Sequence, residues 1–267
     1  MTRTFALLGK ELADLRQNLA IFVPAVIVTC IAVLIPVFVA VIVPAATGER
    51  LSESADLEIA VEMYKKDPTM RTLDPEAAIQ AYVFQYFLVM LLLGPITSAM
   101  SIAASSVIGE KQARTLEPLL VTPITTFELL GGKLLGALLP ALAVTVVSMV
   151  LYLVVVAFTA ERGVFGVLLG TRTLGVVFLL GPLAAMVALQ LAICVSSRVN
   201  DARTAQQLGV FVILPIPALL LGQLFGGVEL TVSVILWISL GLLLVNVGLM
   251  WFAIRLFDRE TILTRWK

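Results

Sequence analysis

The sequence contains no histidine, only two cysteines among its 267 residues, and only 13% charged residues. Without histidine, the chain has no histidine general base, no histidine-ligated metal or haem, and no zinc-protease HExxH motif. Cys30 and Cys194 both lie inside hydrophobic runs and lack CxxC spacing, which is typical of inert, unpaired thiols. These scarcities exclude many classes of enzyme.

The residues needed for ATP hydrolysis and for ion-coupled transport are also missing. No segment has the GxxxxGK(S/T) spacing of a phosphate-binding P-loop, because Lys133 is followed by leucine. No Asp, Glu, Lys or Arg lies near the middle of a long hydrophobic run, where ion-driven transporters and aspartyl intramembrane proteases need charge. We therefore predict that the chain is not an enzyme, has no catalytic, metal or cofactor site, and draws energy from another protein.

Hydrophobic residues make up 60% of the chain, and its mean hydropathy is +1.05. Runs of about 20 apolar residues cross a bilayer as helices, because a helix satisfies its own backbone hydrogen bonds in lipid. The pattern predicts an all-α integral membrane protein that forms one transmembrane domain over residues 1–267. Its six predicted spans are Leu19–Ala46, Ala77–Ile108, Leu134–Phe158, Leu174–Val195, Ala205–Phe225 and Leu230–Ile254.

Two further segments accompany the first span. Residues 1–18 carry apolar side chains at the spacing of one helical face, with Lys10 and Glu11 elsewhere, which favours an amphipathic helix in the membrane interface. An ordinary start of the first span fits the pattern equally well. Residues 47–78 form an acidic outer loop that is solvated, binds an external partner or gathers cations, and Asp74 begins the next helix there.

The connector between spans 2 and 3, residues 109–133, is much longer than a turn requires. Pro118 and Pro123 interrupt it, and Thr125 followed by Glu128 has the spacing of a capping box that opens a helix. Charges of both signs accompany its leucines. This pattern favours a short amphipathic element at the membrane surface, whose charges are available to another protein.

Basic residues are distributed unevenly over the predicted topology. If the N-terminus is cytoplasmic, the inner segments hold 12 of the 18 lysines and arginines, and the outer segments hold 6. This asymmetry follows the positive-inside rule. We therefore predict a multi-pass protein of the cell membrane with both termini in the cytoplasm.

The connector resembles that of ABC-2 type transporter permeases, in which E-(K/R)-x-x-x-T-L-E-x-L-L-x-x-P precedes a G-K pair. The matching residues are Glu110, Lys111, Thr115, Leu116, Glu117, Leu119, Leu120, Pro123, Gly132 and Lys133. Members of the family similarly begin with a helix that contains K-E, here Lys10 and Glu11. The tail resembles the F-x-R-E-x-I-L motif of the sodium-exporter-like subgroup. Its matching residues are Phe257, Arg259, Glu260, Ile262 and Leu263.

The resemblance implies the membrane subunit of an ATP-driven exporter, with the connector as a cytoplasmic coupling helix. Two copies of a separate ABC ATPase would bind ATP and Mg²⁺ and drive alternating access. The residues expected to contact the ATPase are Glu110, Lys111, Arg114, Thr115 and Glu117. The other expected partners are a second copy of the chain and membrane lipid, and we expect no nucleic acid.

Polar and small residues within the spans allow two interpretations. Gln85, Gln190 and Asn246 either line a substrate path or hydrogen-bond neighbouring helices. Small residues permit close helix approach, and we expect them to support a homodimer with its pathway at the two-fold axis. They are Gly94, Ser98, Ser101 and Ser105 in span 2, and Gly241 and Gly248 in span 6. A non-transporting membrane scaffold that recruits cytoplasmic partners is the alternative function.

Overall fold

The computed structural model of the protein is built from helices, and no strand occurs in the residues that it describes. Those residues are 2–48, 50–51, 73–113, 125–199, 204, 207, 210–225 and 229–256. The helices are α1 (Thr2–Gln17), α2 (Leu19–Thr47), α3 (Pro75–Gln112), α4 (Thr126–Thr159), α5 (Val164–Leu168), α6 (Thr171–Ser197), α7 (Val210–Ile213), α8 (Pro215–Leu224) and α9 (Val232–Leu256).

Five of these helices are long and apolar enough to cross a membrane, namely α2, α3, α4, α6 and α9. They correspond to predicted spans 1, 2, 3, 4 and 6, and they confirm a multi-pass, all-helical membrane protein. Predicted span 5, Ala205–Phe225, lies partly outside the described residues, and α7 and α8 cover much of the rest. The total of six spans therefore stays a prediction.

Helices α3 and α4 are longer than the spans predicted for them, by six and nine residues. Helix α3 has 38 residues and α4 has 34. At a rise of 1.5 Å per residue they are about 57 and 51 Å long, whereas a bilayer with its headgroups is only about 45 Å thick. The connector predicted over residues 109–133 is therefore helical at both ends. Its middle, residues 114–124, lies outside the described part of the chain.

The predicted starts of two helices can be compared with the structure. The capping box is confirmed, since the Glu128 backbone N–H donates to Thr125 Oγ1 over 3.2 Å and the Thr125 N–H donates to Glu128 Oε2 over 2.9 Å. Asp74 occupies the N-cap of α3, with Pro75 as the first helical residue, but the Asp74 side chain makes no capping hydrogen bond. Pro75 itself lacks the N–H that would need a partner.

Three long helices change their hydrogen-bonding pattern a few residues before a proline. The irregular turns are Phe38–Ile42 in α2, Leu88–Leu92 in α3 and Val176–Leu180 in α6, before Pro44, Pro95 and Pro182. Proline cannot donate to the carbonyl four residues earlier, and its ring crowds the preceding turn. The carbonyls that are left without a backbone donor then need hydrogen-bond partners from other helices.

One such carbonyl belongs to Ala40, four residues before Pro44. The Gln80 side chain of α3 donates from Nε2 to the Ala40 carbonyl over 3.1 Å. Its Oε1 accepts a hydrogen bond from the Glu161 backbone N–H over 2.6 Å. A single buried amide therefore joins α2, α3 and the segment that follows α4.

Helix α3 lies at the centre of the bundle. In the most apolar 18 residues of α3, 78% are buried inside the protein. The corresponding share is 33% for α2 and for α4, and 17% for α9. A Cβ at Gly94 would lie 2.5 Å from Thr29 Oγ1, so this glycine permits the close approach of α2. Ser98 and Ser101 are also buried within the chain. These small residues of α3 pack inside the protomer, whereas a Cβ at Gly241 of α9 would meet no atom within 4 Å.

Candidate functional site

Four charged side chains from three helices meet at one end of the bundle, which we call the charge cluster. Lys10 and Glu11 lie on α1, Glu110 on α3 and Lys133 on α4. Lys10 Nζ lies 2.7 Å from Glu110 Oε1, and Lys133 Nζ lies 2.7 Å from Glu110 Oε2 and 3.1 Å from Glu11 Oε1. Cations and carboxylates alternate along this chain of contacts, so the cluster is electrically neutral.

Three of the four charges are removed from solvent. The side chains of Glu11, Glu110 and Lys133 are 6%, 7% and 3% exposed, whereas that of Lys10 is 45% exposed. Lys133 Nζ donates hydrogen bonds to Glu11 Oε1 over 3.1 Å and to Ser106 Oγ over 2.7 Å, and it forms an ion pair with Glu110 Oε2. Buried charges are stable in a protein only when they are paired and hydrogen-bonded, as they are in this cluster.

The position of α1 differs from the amphipathic pattern predicted for it. Glu11, assigned to the polar face, lies instead on the face that packs against α4, together with Leu15. The reason is local, because Gly136 of α4 leaves room for it. A Cβ at Gly136 would lie 2.8 Å from the Cβ of Glu11, closer than two carbon atoms pack. The glycine therefore admits Glu11 to the side of α4 that carries Lys133.

The contact between α1 and α3 is of another kind. A cavity of about 270 Å³ lies between them, so the Lys10–Glu110 ion pair bridges helices that are not closely packed here. The cavity is lined by Lys10, Glu11, Asp14, Leu15, Asn18, Ile21, Ile102, Ser105, Ser106, Gly109, Glu110 and Ala113. Nowhere in the described ranges do three or more Cys, Asp or Glu side chains form a group that could hold a metal ion.

The Lys10–Glu110 pair is insensitive to pH near neutrality. Partial burial lowers the pKa of Lys10, but the hydrogen bond and negative charge of Glu110 outweigh it, so that this pKa lies above its ordinary value. A raised lysine pKa contributes its stabilisation in full below the ordinary value of about 10.4, and loses it only as the pH rises through the folded-state value. Lys10 therefore stays charged under physiological conditions.

Lys111, the neighbour of Glu110, binds the end of a different helix. Its Nζ donates to the backbone carbonyls of Ser196, Ser197 and Val199 over 3.4, 3.2 and 2.8 Å. The last carbonyls of a helix lack intrahelical partners and carry the negative end of its dipole. Lys111 therefore caps the C-terminus of α6.

Of the five residues expected to contact a partner protein, the structure describes two. Glu110 and Lys111 are both engaged with helices of their own chain, as described above. Arg114, Thr115 and Glu117 lie outside the described residues. The structure thus places the first two at the base of the connector.

The three amides expected along a substrate path lie elsewhere in the bundle, and all are buried. Gln85 Oε1 accepts a hydrogen bond from Arg172 Nη1 over 3.1 Å, which joins α3 to α6. Gln190 Nε2 of α6 donates to Asn246 Oδ1 of α9 over 3.2 Å. Asn246 Nδ2 in turn donates to the Leu183 carbonyl over 3.1 Å. These contacts match the alternative that the amides join neighbouring helices.

Sequence reasoning assigned no site role to Lys10, Glu11 or Lys133. The available signal was the position of Lys133, eight residues into a helix and next to Gly132. A lysine that follows two glycines at the start of an apolar run can be buried against a close neighbour, because glycine has no side chain to keep that neighbour away. Its carboxylate partners, however, come from distant segments.

Comparison with known proteins yields one family. The model of the family described as "ABC-2 family transporter protein" matches residues 65–250, well over half of the chain. The match contains Glu110, Lys111 and Lys133 and begins after Lys10 and Glu11. No curated protein matches the sequence.

Proposed function

The chain belongs to the ABC-2 family of transporter proteins, and we propose that it is the permease subunit of an ATP-driven exporter. The energy comes from a separate ABC ATPase, which binds ATP and Mg²⁺ and drives alternating access. The end of the bundle with the charge cluster faces the cytoplasm, in agreement with the distribution of basic residues. The tail motif favours the sodium-exporter-like subgroup, without defining the substrate.

The observation that carries this proposal is the closed base of the connector. Glu110 lies at the start of the connector and Lys133 at its end, and their side chains pair over 2.7 Å in a buried position. Because the ion pair holds the two ends of the connector together, a force on the connector cannot be dissipated by separating α3 from α4 at these ends. A force applied to its middle is therefore delivered to α3 and α4, as a coupling element requires.

Within this proposal, direct contact with the ATPase belongs to Arg114, Thr115 and Glu117. Glu110 and Lys111 anchor the connector instead. Glu110 is 7% exposed and paired with lysines on two helices, so contact with another protein would break buried ion pairs. Breaking such a pair costs about 3–5 kcal/mol, more than a surface contact returns.

The working assembly that we propose is a homodimer with its pathway at the two-fold axis and two ATPase subunits. Gly94, Ser98 and Ser101 of α3 pack inside the protomer, whereas a Cβ at Gly241 or Gly248 of α9 would meet no atom within 4 Å, so these two glycines stay available for the dimer contact. The family resemblance favours spans 1, 2 and 5 along the pathway, and these spans contain α2, α3 and α8. Helix α2 exposes Cys30 and neighbouring apolar side chains such as Ile27 and Leu34. Oxidative cross-linking through the native Cys30 tests this contact directly.

Purification in mild detergent tests the function itself. We expect an ABC ATPase to co-elute with the chain and to show vanadate-sensitive hydrolysis of Mg-ATP. Glu117→Lys should uncouple ATP hydrolysis from transport or weaken the binding of the ATPase. Glu161→Lys, the same change at an exposed residue on the opposite end of the bundle, serves as the control. A permease that elutes without an ATPase and shows no nucleotide-dependent change would instead support the scaffold.

A further inference from the structure

We propose that the cavity between α1 and α3 binds the headgroup of an ethanolamine phospholipid, and that Asp14 holds the primary ammonium group of this headgroup. The inference goes beyond the proposed function, because it concerns a lipid ligand and no step of a transport cycle. It holds equally for a transporter subunit and for a scaffold, since neither the ATPase nor a transported substrate takes part in it.

Two opposing helix faces form the walls of the cavity. On α1 the lining residues fall between Lys10 and Asn18, and on α3 between Ile102 and Ala113, in both cases at the spacing of one helical face. The charge cluster borders this space, because its members Glu11 and Glu110 are among the lining residues. The cavity is therefore built from regular, well-defined surfaces, with charged groups along one side.

The size of the cavity fits a small polar group such as a lipid headgroup. Its volume of about 270 Å³ lies below the range of about 300–1,000 Å³ that is typical of pockets for drug-sized molecules. Gly109 of α3 keeps part of this space open, because a Cβ at this position would meet no atom within 4 Å. A side chain there would occupy the room that the headgroup needs.

The charges around the cavity favour a cationic group. In the charge cluster two lysines balance Glu11 and Glu110, which leaves Asp14 as the carboxylate of the described lining that lies outside these ion pairs. Asp14 and Asn18 are both exposed, and no hydrogen bond of either side chain is found within the described residues. An ammonium group can therefore bind the Asp14 carboxylate and the Asn18 amide oxygen without displacing a hydrogen bond between described residues.

The lining also distinguishes a primary ammonium group from a quaternary one. A primary ammonium group has N–H donors, which match the side-chain oxygens of Asp14 and Asn18. A quaternary group such as choline has no donor, and proteins bind it with aromatic side chains. No aromatic side chain is among the described residues that line the cavity. The site therefore fits ethanolamine better than choline.

Lys10 can bind the phosphate that accompanies the ammonium group in such a headgroup. It lies four residues before Asp14 on α1, so the two side chains are neighbours on one face of the helix. Its Nζ donates a hydrogen bond to Glu110, while the side chain remains 45% exposed, so N–H groups are left for a phosphate oxygen. A phosphoethanolamine group carries its two charges a few bonds apart and can therefore bind Asp14 and Lys10 together.

The position of the cavity at the start of the first span favours a lipid over a soluble amine. Asn18 directly precedes Leu19, where α2 begins, and the apolar side chains of Leu19 and Val23 are 68% and 52% exposed. Exposed apolar side chains on a membrane-spanning helix face the acyl chains of the bilayer. Within the cavity, Ile21 and Ile102 place apolar surface beside the polar groups, as the binding of an amphiphile requires.

Lipid binding to the full-length protein, purified in mild detergent with any subunit that co-elutes, tests the proposal. Native mass spectrometry compares phosphatidylethanolamine with phosphatidylcholine of the same acyl chains, so that the two lipids differ only in methylation of the headgroup nitrogen. We expect phosphatidylethanolamine to bind about tenfold more tightly, as a hydrogen bond to a charged group implies. Equal affinity would overturn the proposal, because lipids that only surround the helices do not distinguish these headgroups.

Soluble phosphoethanolamine distinguishes a lipid from a free amine as the ligand. It carries the same charged groups without acyl chains, and at equal concentration it should not displace the bound phosphatidylethanolamine. Displacement at equal concentration would overturn the assignment to a lipid and would indicate a site for a soluble ligand. Both measurements use the native sequence and therefore do not depend on the folding of any variant.

Two pairs of variants then locate the site. Asp14→Asn should abolish the preference for phosphatidylethanolamine, whereas Asp14→Glu, which keeps the carboxylate, should retain it. Gly109→Leu fills the cavity and should also abolish the preference. Gly9→Leu makes the same change on α1, outside the lining of the cavity and where a Cβ likewise meets no atom within 4 Å, and should leave the preference unchanged. A preference that persists in both Asp14→Asn and Gly109→Leu would place the lipid elsewhere on the protein and contradict the proposal.

Discussion

The Tyr152 hydroxyl of α4 donates a hydrogen bond of 2.6 Å to the backbone carbonyl of Phe84, where α3 departs from α-helical geometry. At that point the Leu88 N–H donates to the Gln85 carbonyl, three residues back, and leaves the Phe84 carbonyl without its helical partner. The phenol takes the place of the missing backbone donor. The two rings also meet edge to face, with centroids 6.0 Å apart.

This relationship predicts a loss of stability in Tyr152→Phe. The substitution keeps the ring and leaves a buried carbonyl unpaired, which costs about 1–3 kcal/mol. We expect a lower thermal unfolding midpoint in detergent. Tyr82→Phe is the matched control, because no hydrogen bond of the Tyr82 hydroxyl is found within the described residues. Equal shifts in both variants would mean that the hydroxyl of Tyr152 does not stabilise the irregular turn.

The charge cluster predicts that replacing Lys133 alone lowers the stability of the protein more than replacing all four charged residues together. Lys133→Met should destabilise the protein by about 3–5 kcal/mol, because it leaves Glu11 and Glu110 buried without their shared cation. Replacing Lys10 and Lys133 by methionine and both glutamates by glutamine removes all buried charge. This fourfold variant should recover most of the unfolding midpoint, since uncharged replacements of buried ion networks are often neutral or stabilising. A fourfold variant less stable than Lys133→Met would contradict this electrostatic account.

The Gln190–Asn246 hydrogen bond predicts how α9 is attached. Side-chain hydrogen bonds between membrane helices contribute about 0.6–1.7 kcal/mol. Gln190→Leu and Asn246→Leu should therefore each lower stability, and the double variant should lose less than the sum of the two. Additive losses would show that the amides act independently. Lost transport with unchanged stability would instead favour the substrate path expected from the sequence.

The orientation predicted from the basic residues can be tested with labelling at Ala13 and Thr47, both exposed. In a background without Cys30 and Cys194, an impermeant maleimide applied to intact cells should label Thr47→Cys. Ala13→Cys should react only after the membrane is opened. Reaction of both positions from the same side would exclude the predicted topology, because α2 would then not cross the membrane.

Much of the helix pattern was predictable because it depends on local chemistry. The first span was expected at Leu19–Ala46 and the last at Leu230–Ile254, and the helices cover Leu19–Thr47 and Val232–Leu256. An apolar run must form a helix in lipid, so composition alone locates it. Hydropathy did not locate the ends of α3 and α4 on the side of the connector, because these helices continue into polar sequence. Hydropathy reports contact with lipid rather than helix length.

Composition and local spacing by themselves determined that the chain crosses a membrane several times and that a capped helix follows a connector. The resemblance to the ABC-2 connector marked Glu110 and Lys111. Only the tertiary structure decided what these residues contact. Lys10 and Glu110 are 100 positions apart, and Glu11 and Lys133 are 122 positions apart. No local pattern encodes such pairs, because they exist only where Gly136 lets α1 approach α4 and the ends of α1, α3 and α4 converge.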